Sequence, residues 1–234
     1  MSRSVLITGG NRGIGLAIAR ALAEDGDRVA VTHRSGEPPK GLYGVRCDVT
    51  DTGSVDLAFD QVESEQGPVE VLVANAGITR DGLALGLSDQ DFAAVVDTNL
   101  MGAFRVARRA AGGMATARRG RMLFLSSTVG LAGSPGQAGY AASKAALIGL
   151  ARSLAWELGR RNVTVNVLAP GLIETDMISH VSAERKAELI HETALRRAGT
   201  PQEVAAVARF LTSDAAGFVS GAVVPVGGGH GMGH

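Results

Sequence analysis

The sequence has 234 residues, of which 45% are hydrophobic and 20% charged, and its 23 basic and 23 acidic side chains give a formal net charge of zero. These figures exclude a disordered chain and argue against a nucleic-acid-binding protein that relies on bulk positive charge. The single cysteine, Cys47, excludes an internal disulfide and a cysteine-based metal site, and no apolar run approaches the roughly 18 residues of a membrane helix. We therefore expect a cytoplasmic protein with one domain over residues 1–234, no membrane segment and no metal.

Short runs of β-branched residues alternate with longer helical stretches along the chain. We predict strands at residues 5–8, 29–32, 44–47, 69–73, 122–125, 163–168 and 222–226. We predict helices at residues 13–24, 54–65, 89–115 with one interruption near Asn99, 140–159, 182–192 and 202–211. Apolar strands that alternate with helices indicate an α/β protein with a parallel sheet covered on both faces. The predicted fold is therefore a single-domain, Rossmann-type, doubly wound parallel sheet.

A glycine-rich loop follows the first predicted strand and leads into the first predicted helix. Its glycines allow a sharp turn, and the helix N-terminus offers free N–H groups and the positive end of the helix dipole to a pyrophosphate. Glycine also marks ordinary turns, but the preceding strand and the following helix favour a nucleotide site. The residues expected to contact the cofactor here are Gly9, Asn11, Arg12, Gly13, Ile14 and Gly15.

The end of the second strand selects between NAD and NADP. An acidic residue there would bind the ribose 2′-hydroxyl of NAD, but residues 32–35 contain no acid. Arg34 and Arg12 can pair with a 2′-phosphate through charge-assisted hydrogen bonds, and His33 can add to that pocket. The alternative is that these are solvated loop cations. We predict NADP(H) as the cofactor.

Tyr140 and Lys144 lie four residues apart, on one face of a predicted helix. A free phenol has a pKa of roughly 10, and a nearby ammonium lowers that pKa, so Tyr140 can donate a proton to a carbonyl oxygen. Because this spacing is common, a surface pair is the alternative. Ser127 follows the fifth strand, where its hydroxyl can bind the substrate oxygen, and Ser126 and Thr128 are the neighbouring alternatives.

Two more features accompany the tyrosine–lysine pair. Asn99 lies inside the long predicted helix, where asparagine is unfavourable and can perturb the helix locally. A turn after the sixth strand can place backbone groups against a nicotinamide carboxamide. The residues expected in that turn are Pro170, Gly171, Ile173 and Thr175.

The chain resembles the short-chain dehydrogenase/reductase family over essentially its whole length. The resemblance rests on the glycine loop, the segments 75–77 and 170–171, and Asn99, Ser127, Tyr140 and Lys144. It implies that these four side chains form a catalytic tetrad, in which Asn99 holds a water that relays protons and Tyr140 and Lys144 also contact the cofactor. It also implies cofactor contacts from Asp48, Val49, Asn75, Ala76 and Gly77.

Two of these contacts have structural alternatives. Asp48 is equally plausible from the residues alone as a helix N-cap or a turn residue, and the resemblance assigns it to the adenine amino group. Asn75 is as well explained by a purely structural role as by direct contact with the cofactor.

Within the family, the chain is similar to the 3-oxoacyl-[acyl-carrier-protein] reductases of fatty-acid synthesis, of actinobacterial type. Residues 8–15, 29–34, 75–81, 137–145 and 173–177 carry this similarity. It implies NADPH-dependent reduction of a 3-oxoacyl thioester, a homotetramer, and a lid at residues 176–197. The lid residues Met177, Ile178, Leu189 and Ile190 line an acyl channel or belong to the ordinary core. Ala74 and Gly227 depart from the family pattern, which commonly has Asn at the first position and Asn or Asp at the second.

An acyl-carrier protein is acidic, so a reductase that acts on it needs a local basic patch. The resemblance implies docking at Arg118 and Arg161, and solvated cations at helix ends are the alternative. Rival functions are a reductase of polyketides or of small ketones and alcohols, an inactive nucleotide-sensing or scaffold protein, and a methyltransferase. The complete tetrad disfavours the inactive protein, and the missing acid after the second strand and the tyrosine–lysine pair disfavour the methyltransferase. The tail at residues 227–234, rich in Gly and His, suggests metal binding or a flexible or subunit-docked end.

Overall fold

The computed structural model describes residues 2–175 and 182–232, in which seven parallel strands form one sheet. The strands are β1 (Ser4–Ile7), β2 (Arg28–His33), β3 (Tyr43–Arg46), β4 (Val71–Ala74), β5 (Gly120–Leu125), β6 (Val163–Pro170) and β7 (Val223–Val226). Their order is β3-β2-β1-β4-β5-β6-β7. The winding reverses between β1 and β4, which creates the crevice where ligands bind in such sheets. The predicted doubly wound α/β fold is confirmed.

Helices cover both faces of this sheet. They are α1 (Gly13–Glu24), α2 (Thr52–Gln66), α3 (Asp89–Val96), α4 (Gly102–Ala117), α5 (Val129–Ala132), α6 (Ala138–Gly159), α7 (Ala183–His191) and α8 (Pro201–Thr212). A 3₁₀ turn at Asp214–Ala216 precedes β7. Within residues 2–175 and 182–232, no helix combines the length and the hydropathy that crossing a membrane requires.

Each face of the sheet has its own hydrophobic core, because successive strand residues point to opposite faces. Leu6 and Leu72 pack in a core with residues of α2, α4 and α6. Val5 and Val73 pack in a second core with residues of α1 and α8. Strands β1 and β4 are buried along their whole lengths, which explains their uninterrupted apolar sequence.

The predicted interruption of the long helix near Asn99 is confirmed. A π turn at Asp97–Met101 joins α3 to α4, and the N–H of Gly102 bonds to the carbonyl of Asp97. Such turns insert an extra residue into the helix and occur frequently at functional sites. Asn99 lies in the middle of this turn and is buried.

Other elements differ from the prediction at their ends. Helix α2 begins at Thr52, because the Oδ1 atom of Asp51 caps it by accepting a hydrogen bond from the Gly53 N–H at 2.8 Å. Helix α6 begins at Ala138, so Tyr140 lies in its first turn. The short helix α5 was not predicted, because four residues are too few to show a helical period.

Candidate active site

A cleft of about 370 Å³ lies where β1, β2 and β4 end. Its walls contain these residues that were predicted to bind the cofactor: Gly9, Asn11, Arg12, Gly13, Ile14, Gly15, His33, Arg34, Asp48, Val49, Asn75, Ala76, Gly77 and Thr175. The walls do not include Tyr140, Lys144, Pro170, Gly171 and Ile173. The glycine loop, the end of β2, residues 48–49 and residues 75–77 therefore meet in one cavity, whereas most of the turn after β6 lies outside its wall.

The glycine loop at the base of this cleft is braced by Asn75. Gly9 and Gly13 have φ angles of 63° and 55°, which glycine adopts with little strain. A Cβ atom on Gly15 would lie 2.5 Å from the Nδ2 of Asn75, so a side chain has no room there. The Nδ2 of Asn75 donates to the carbonyl oxygens of Thr8 at 2.9 Å and Gly9 at 3.0 Å. Asn75 thus has the structural role that the sequence left open, and it also lines the cleft.

Cationic and polar groups gather in the cleft near the start of α1 and the end of β2. Arg12 precedes α1 and does not cap the helix through its side chain, so the N–H groups at the start of α1 receive no acceptor from that side chain. Arg12 and Arg34 both lie in the cleft wall. The Nδ1 atom of His33 is buried and has no hydrogen-bond partner in the described residues. Because a buried polar atom without a partner is unfavourable, a ligand group beside His33 would be stabilising.

Asp48 forms a turn and is not a helix cap. Its Oδ1 accepts hydrogen bonds from the main-chain N–H of Thr50 at 3.0 Å and from the Thr50 hydroxyl at 2.7 Å. These bonds hold the pKa of Asp48 below its usual value, so the carboxylate is ionised at neutral pH. Asp48 and Val49 line the cleft. Their contact with adenine remains a prediction.

The cleft also contains residues that were not predicted, namely Thr32, Ser35, Cys47, Ile78 and Thr98. Thr32 supports the glycine loop, because its hydroxyl accepts from the Gly9 N–H at 3.2 Å. Its place at the carboxyl end of β2 was a sequence signal that could have identified it. Burial raises the pKa of the Cys47 thiol to about 11, so this thiol stays protonated at neutral pH. Thr98 lies in the π turn, whose exact geometry a regular helical period does not predict.

Helix α6 brings Tyr140 and Lys144 together. The Nζ of Lys144 lies 5.6 Å from the centroid of the Tyr140 ring and donates to the Leu125 carbonyl at 2.6 Å. Lys144 is 4% exposed, and burial lowers its pKa to about 8 because it disfavours the charged form. The lysine therefore titrates close to the physiological range.

The pKa of Tyr140 is raised, contrary to the expectation from sequence. Burial is the largest cause of the shift; a hydrogen bond with Ser127 opposes it, and the charge of Asp81 adds to it. The expectation considered the attraction of Lys144 for a phenolate but not the loss of water around the phenol. Tyr140 is therefore protonated at neutral pH, which is the form that donates a proton.

Ser127 lies close enough to Tyr140 for its hydroxyl to lower the pKa of the phenol. The same Oγ accepts from the Val129 N–H at 3.1 Å and lies 3.4 Å from the Pro170 carbonyl, to which it donates. These contacts hold the hydroxyl at the end of β5, beside the phenol. Two oxygen-bearing groups therefore lie near each other, an arrangement that suits the binding of a substrate oxygen.

The two neighbours of Ser127 have other contacts. Ser126 donates from its hydroxyl to the main-chain carbonyl of Lys144 at 2.7 Å, which ties β5 to α6. Thr128 is buried, and its N–H donates to the Pro170 carbonyl at 2.9 Å. The structure therefore favours Ser127 over these alternatives as the substrate-binding hydroxyl.

Asn99 is held by the segment that follows β4. Its Oδ1 accepts from the Ile78 N–H at 2.8 Å, and its Nδ2 donates to the Ile78 carbonyl and to the Ser143 hydroxyl, each at 3.0 Å. A Cβ on Gly77 would lie 3.2 Å from Asn99 Oδ1 and 3.4 Å from Lys144 Nζ. Asn99 and Lys144 thus both approach Gly77, and the water relay remains a prediction.

The turn after β6 divides its residues between two roles. Thr175 reaches the cleft, where a Cβ on Gly13 would lie 3.6 Å from its Cγ2. Ile173 is buried in the core and pairs with Gly199 in an isolated bridge. Gly171 donates its N–H to the end of β7 at 3.0 Å. Of these residues, Thr175 therefore lies where a nucleotide contact is predicted.

Arg118 and Arg161 are exposed at the edge where β5 and β6 begin, opposite the cleft. The guanidinium of Arg118 donates to the Arg160 carbonyl at 3.2 Å. Within the described ranges no ion pair involves Arg118 or Arg161, whereas the nearby Arg119 and Arg121 pair with acidic side chains. Arg118 and Arg161 thus offer unneutralised positive charge at this edge.

Two of the four apolar lid residues named from sequence lie within the described part of the chain, on α7. Met177 and Ile178 lie outside the described residues, and Leu189 and Ile190 are partly buried on α7. The tail contributes to no metal site within residues 2–175 and 182–232, where no group of His, Cys, Asp and Glu could hold an ion.

Comparison with known proteins gives similarity over the whole site. A family model described as Enoyl-(Acyl carrier protein) reductase matches residues 9–231. The 3-oxoacyl-[acyl-carrier-protein] reductase MabA of Mycobacterium tuberculosis strain H37Rv is 55% identical over 234 residues, which are 100% of this chain and 95% of that protein. The 3-oxoacyl-[acyl-carrier-protein] reductase FabG of Escherichia coli K12 is 40% identical over 232 residues, covering 96% of this chain and 95% of that protein.

Proposed function

The chain belongs to the short-chain dehydrogenase/reductase family, and from that membership we propose that it reduces a 3-oxoacyl thioester to the 3-hydroxyacyl thioester in fatty-acid synthesis. NADPH is the proposed cofactor and acyl-carrier protein the proposed carrier. The observation that carries the proposal is the convergence of Ser127, Tyr140 and Lys144 beside the nucleotide cleft. The named activity of the relatives supplies the substrate class.

When bound, NADPH supplies the hydride for the carbonyl carbon. Tyr140, which burial keeps protonated, donates its proton to the carbonyl oxygen. Ser127 donates a hydrogen bond to the same oxygen as negative charge develops there. Lys144, charged below its pKa of about 8, stabilises the phenolate that Tyr140 leaves behind. Asn99 orients the Ile78 backbone next to this group.

The proposed preference for NADP(H) over NAD(H) rests on a cation after β2 and another in the glycine loop. Arg34 and Arg12 line the cleft, and both can form charge-assisted hydrogen bonds with a 2′-phosphate. The buried Nδ1 of His33 supplies a third polar group without a protein partner in the described ranges. An NAD-binding site would instead need a carboxylate that accepts hydrogen bonds from the ribose hydroxyls. Residues 32–35 contain no acidic residue.

Carrier docking at Arg118 and Arg161 has a geometric consequence. Tyr140 lies in the first turn of α6, and Arg161 lies just beyond its last residue, so roughly 30 Å of helix separates them. A carrier bound at Arg118 and Arg161 would sit at the edge opposite its own chain's cleft. We therefore propose that this patch serves the active site of a neighbouring copy in a homotetramer.

The central experiment measures NADPH oxidation with acetoacetyl thioesters of acyl-carrier protein and of coenzyme A. Crotonyl thioesters, a polyketide-like diketide and small free ketones complete the panel, since they represent enoyl reduction and the rival reductase functions. We expect the fastest turnover with the 3-oxoacyl thioesters and none with Tyr140→Phe, although that variant should bind NADPH nearly as tightly. Turnover confined to crotonyl thioesters or free ketones would reject the proposed substrate.

A second experiment tests the carrier. Arg118→Glu with Arg161→Glu should raise the apparent KM for acetoacetyl-carrier protein at least about tenfold, because charge complementarity becomes repulsion. The KM for a free ketone should stay unchanged. Reversal of Arg20, an exposed arginine of α1, is the matched control. Equal losses on both substrates would contradict carrier docking at this patch. A monomer in light scattering would contradict docking across subunits, and a dimer would contradict the homotetramer.

The single domain over residues 1–234 and the cytoplasmic location remain predictions. Limited proteolysis tests the first, because a single domain should have no protease-sensitive linker that releases two stable fragments. Fractionation of cells that express the chain tests the second.

A further inference from the structure

Helix α6, which carries Tyr140 in its first turn, begins without a cap of its own. The residue before it is Gln137, whose side chain accepts no hydrogen bond from the first N–H groups, and the first turn contains no acidic residue. A nearby negative charge stabilises the free N–H groups and the positive dipole end at such a start. The start of α6 therefore depends on support from other parts of the chain.

This support comes from the segment that follows β4. The Gly82 N–H donates to the Gly136 carbonyl at 2.8 Å. The Nε2 of Gln137 donates to the two carboxylate oxygens of Asp81, at 3.2 and 3.3 Å. The hydroxyl of Thr79 donates to Oδ1 of the same carboxylate. Asp81 thus connects the segment after β4 with the residue that precedes α6.

The same segment is bound to Asn99 at its other end. Asn99 accepts from the Ile78 N–H at 2.8 Å and donates to the Ile78 carbonyl at 3.0 Å, and Asp81 lies three residues further along. On α3, Phe92 also packs against the first turn of α6, since a Cβ on Gly139 would lie 3.2 Å from its Cδ2. One short segment therefore joins a tetrad residue on the π turn to the start of the helix that carries two others.

Asp81 also acts on Tyr140 through its charge. The groups that face the phenol are Ser127 at the end of β5, Lys144 one turn along α6, and Asp81, and of these three Asp81 alone is negative. Its charge contributes to the raised pKa of Tyr140, because a negative charge disfavours a phenolate. Asp81 is exposed, so dissolved salt can screen this effect.

From these contacts we propose that Asp81 is a positioning residue for Tyr140. It supplies, from outside the helix, the negative charge and the hydrogen-bond acceptor that the start of α6 lacks, and it thereby fixes the turn that carries the phenol. The proposal rests on the proposed reductase function, in which Tyr140 donates the proton. Two contributions are separable, because the bond to Gln137 holds the helix start whereas the charge favours the protonated phenol.

The first test measures the ionisation of Tyr140 without any substrate. The chain has two tyrosines, so Tyr43→Phe leaves Tyr140 as the only one, and its phenolate is followed by ultraviolet absorbance as the pH is raised. In this background Asp81→Asn should lower the titration midpoint, because the charge that opposes the phenolate is gone. Asp81→Glu keeps the charge and should restore the midpoint. The matched control is Asp89→Asn, which changes an exposed acid at the start of α3 and should leave the midpoint unchanged.

The titration isolates the effect of Asp81. Lys144 has a pKa of about 8 and is therefore already neutral in the range where the phenol ionises, in the parent and in the variant alike. The difference between the two should shrink at roughly 1 M salt, where the Debye length is about 3 Å. An equal midpoint in the parent and in Asp81→Asn, or an equal shift in Asp89→Asn, would overturn the proposal. If circular dichroism shows that the chain unfolds before the phenol ionises, the rate comparison decides.

That rate comparison separates the bond from the charge. Gln137→Leu removes the bond and keeps the charge, and it should lower kcat about fivefold while the Kd of NADPH stays unchanged. Asp81→Ala removes both and should lower kcat about tenfold or more, and Asp81→Glu should recover most of this loss. An unchanged kcat in either Gln137→Leu or Asp81→Ala contradicts the positioning role. So do equal losses in kcat and in NADPH affinity, since they indicate a general loss of structure.

Two further outcomes are distinguishable. If Asp81→Ala does not fold, Asp81→Asn carries both tests, because asparagine has nearly the same size and keeps an acceptor for Gln137. If the wild type reduces no 3-oxoacyl thioester while Asp81→Asn still shifts the titration of Tyr140, the proposed function fails and the positioning role falls with it. Normal reduction by the wild type, with titration and rates unchanged in the Asp81 variants, overturns this inference alone.

Discussion

Lys144 supports a sharp prediction because it and Tyr140 titrate in different ranges. Burial lowers the pKa of Lys144 to about 8 and raises that of Tyr140 above its ordinary value. Between pH 7 and pH 9 the lysine therefore loses its proton while the phenol keeps its own. With a pKa of about 8, the charged fraction of Lys144 falls from roughly nine-tenths to roughly one-tenth. Because the ammonium stabilises the phenolate left by proton donation, kcat/KM should fall about tenfold over this interval.

The assay is kcat/KM for NADPH from pH 6.5 to 9.5, since this parameter reports the ionisation of the free enzyme. Lys144→Arg is the control, because a guanidinium stays charged throughout this range. That variant should be slower at every pH, but its rate should show no decline near pH 8. The reasoning is refuted if the wild-type profile is flat to pH 9.5, or if Lys144→Arg retains a decline centred on pH 8.

Three other predictions follow from the same contacts. Ser127→Ala should lower kcat about 10²- to 10³-fold. Ser126→Ala should cost about 1 kcal/mol of stability in urea unfolding and leave kcat within about threefold, since the Ser126 hydroxyl bonds only the backbone of Lys144. Similar losses of kcat in the two variants would contradict the different roles of the two serines. Arg34→Glu should weaken NADPH binding about tenfold or more in a fluorescence titration and leave NADH binding nearly unchanged, and equal losses would argue against a 2′-phosphate contact. Lys144→Met should be more stable than the wild type at pH 7 by up to about 3 kcal/mol, because burial moves the pKa from 10.5 to about 8. The folded wild type binds fewer protons than the unfolded chain between pH 8 and 10.5, so its stability rises there and the advantage of Lys144→Met should shrink; a constant difference would contradict the shift.

Several parts of the site were predictable because they depend on short stretches of chain. Tyr140 and Lys144 share a helix face whatever surrounds them, since four residues make about one helical turn. The glycine loop combines a strand, a tight turn and a helix start within a few residues, and Gly9 and Gly13 have the positive φ angles that this turn needs. Asn99 was expected to perturb its helix, and the helix contains a π turn there.

Other parts depended on contacts between distant segments. Ser126, Ser127 and Thr128 are adjacent residues that all carry a hydroxyl. Only the resemblance to the family favoured Ser127 among them. The structure distinguishes their roles through hydrogen bonds to other elements. Ser126 donates to the Lys144 carbonyl, whereas Ser127 and Thr128 donate to the Pro170 carbonyl. These contacts join residues that lie far apart along the chain, so the local sequence does not predict them.

By itself, the sequence determined the order of strands and helices, the nucleotide loop and the identity of the reactive side chains. These properties follow from hydrophobic period, glycine conformation and side-chain chemistry, all of which act over a few residues. The tertiary structure decided the direction of the pKa shifts and the different contacts of Ser126 and Ser127. Both arise because folding removes water from buried groups and brings together residues that lie far apart along the chain, so their magnitudes depend on packing that no local pattern contains.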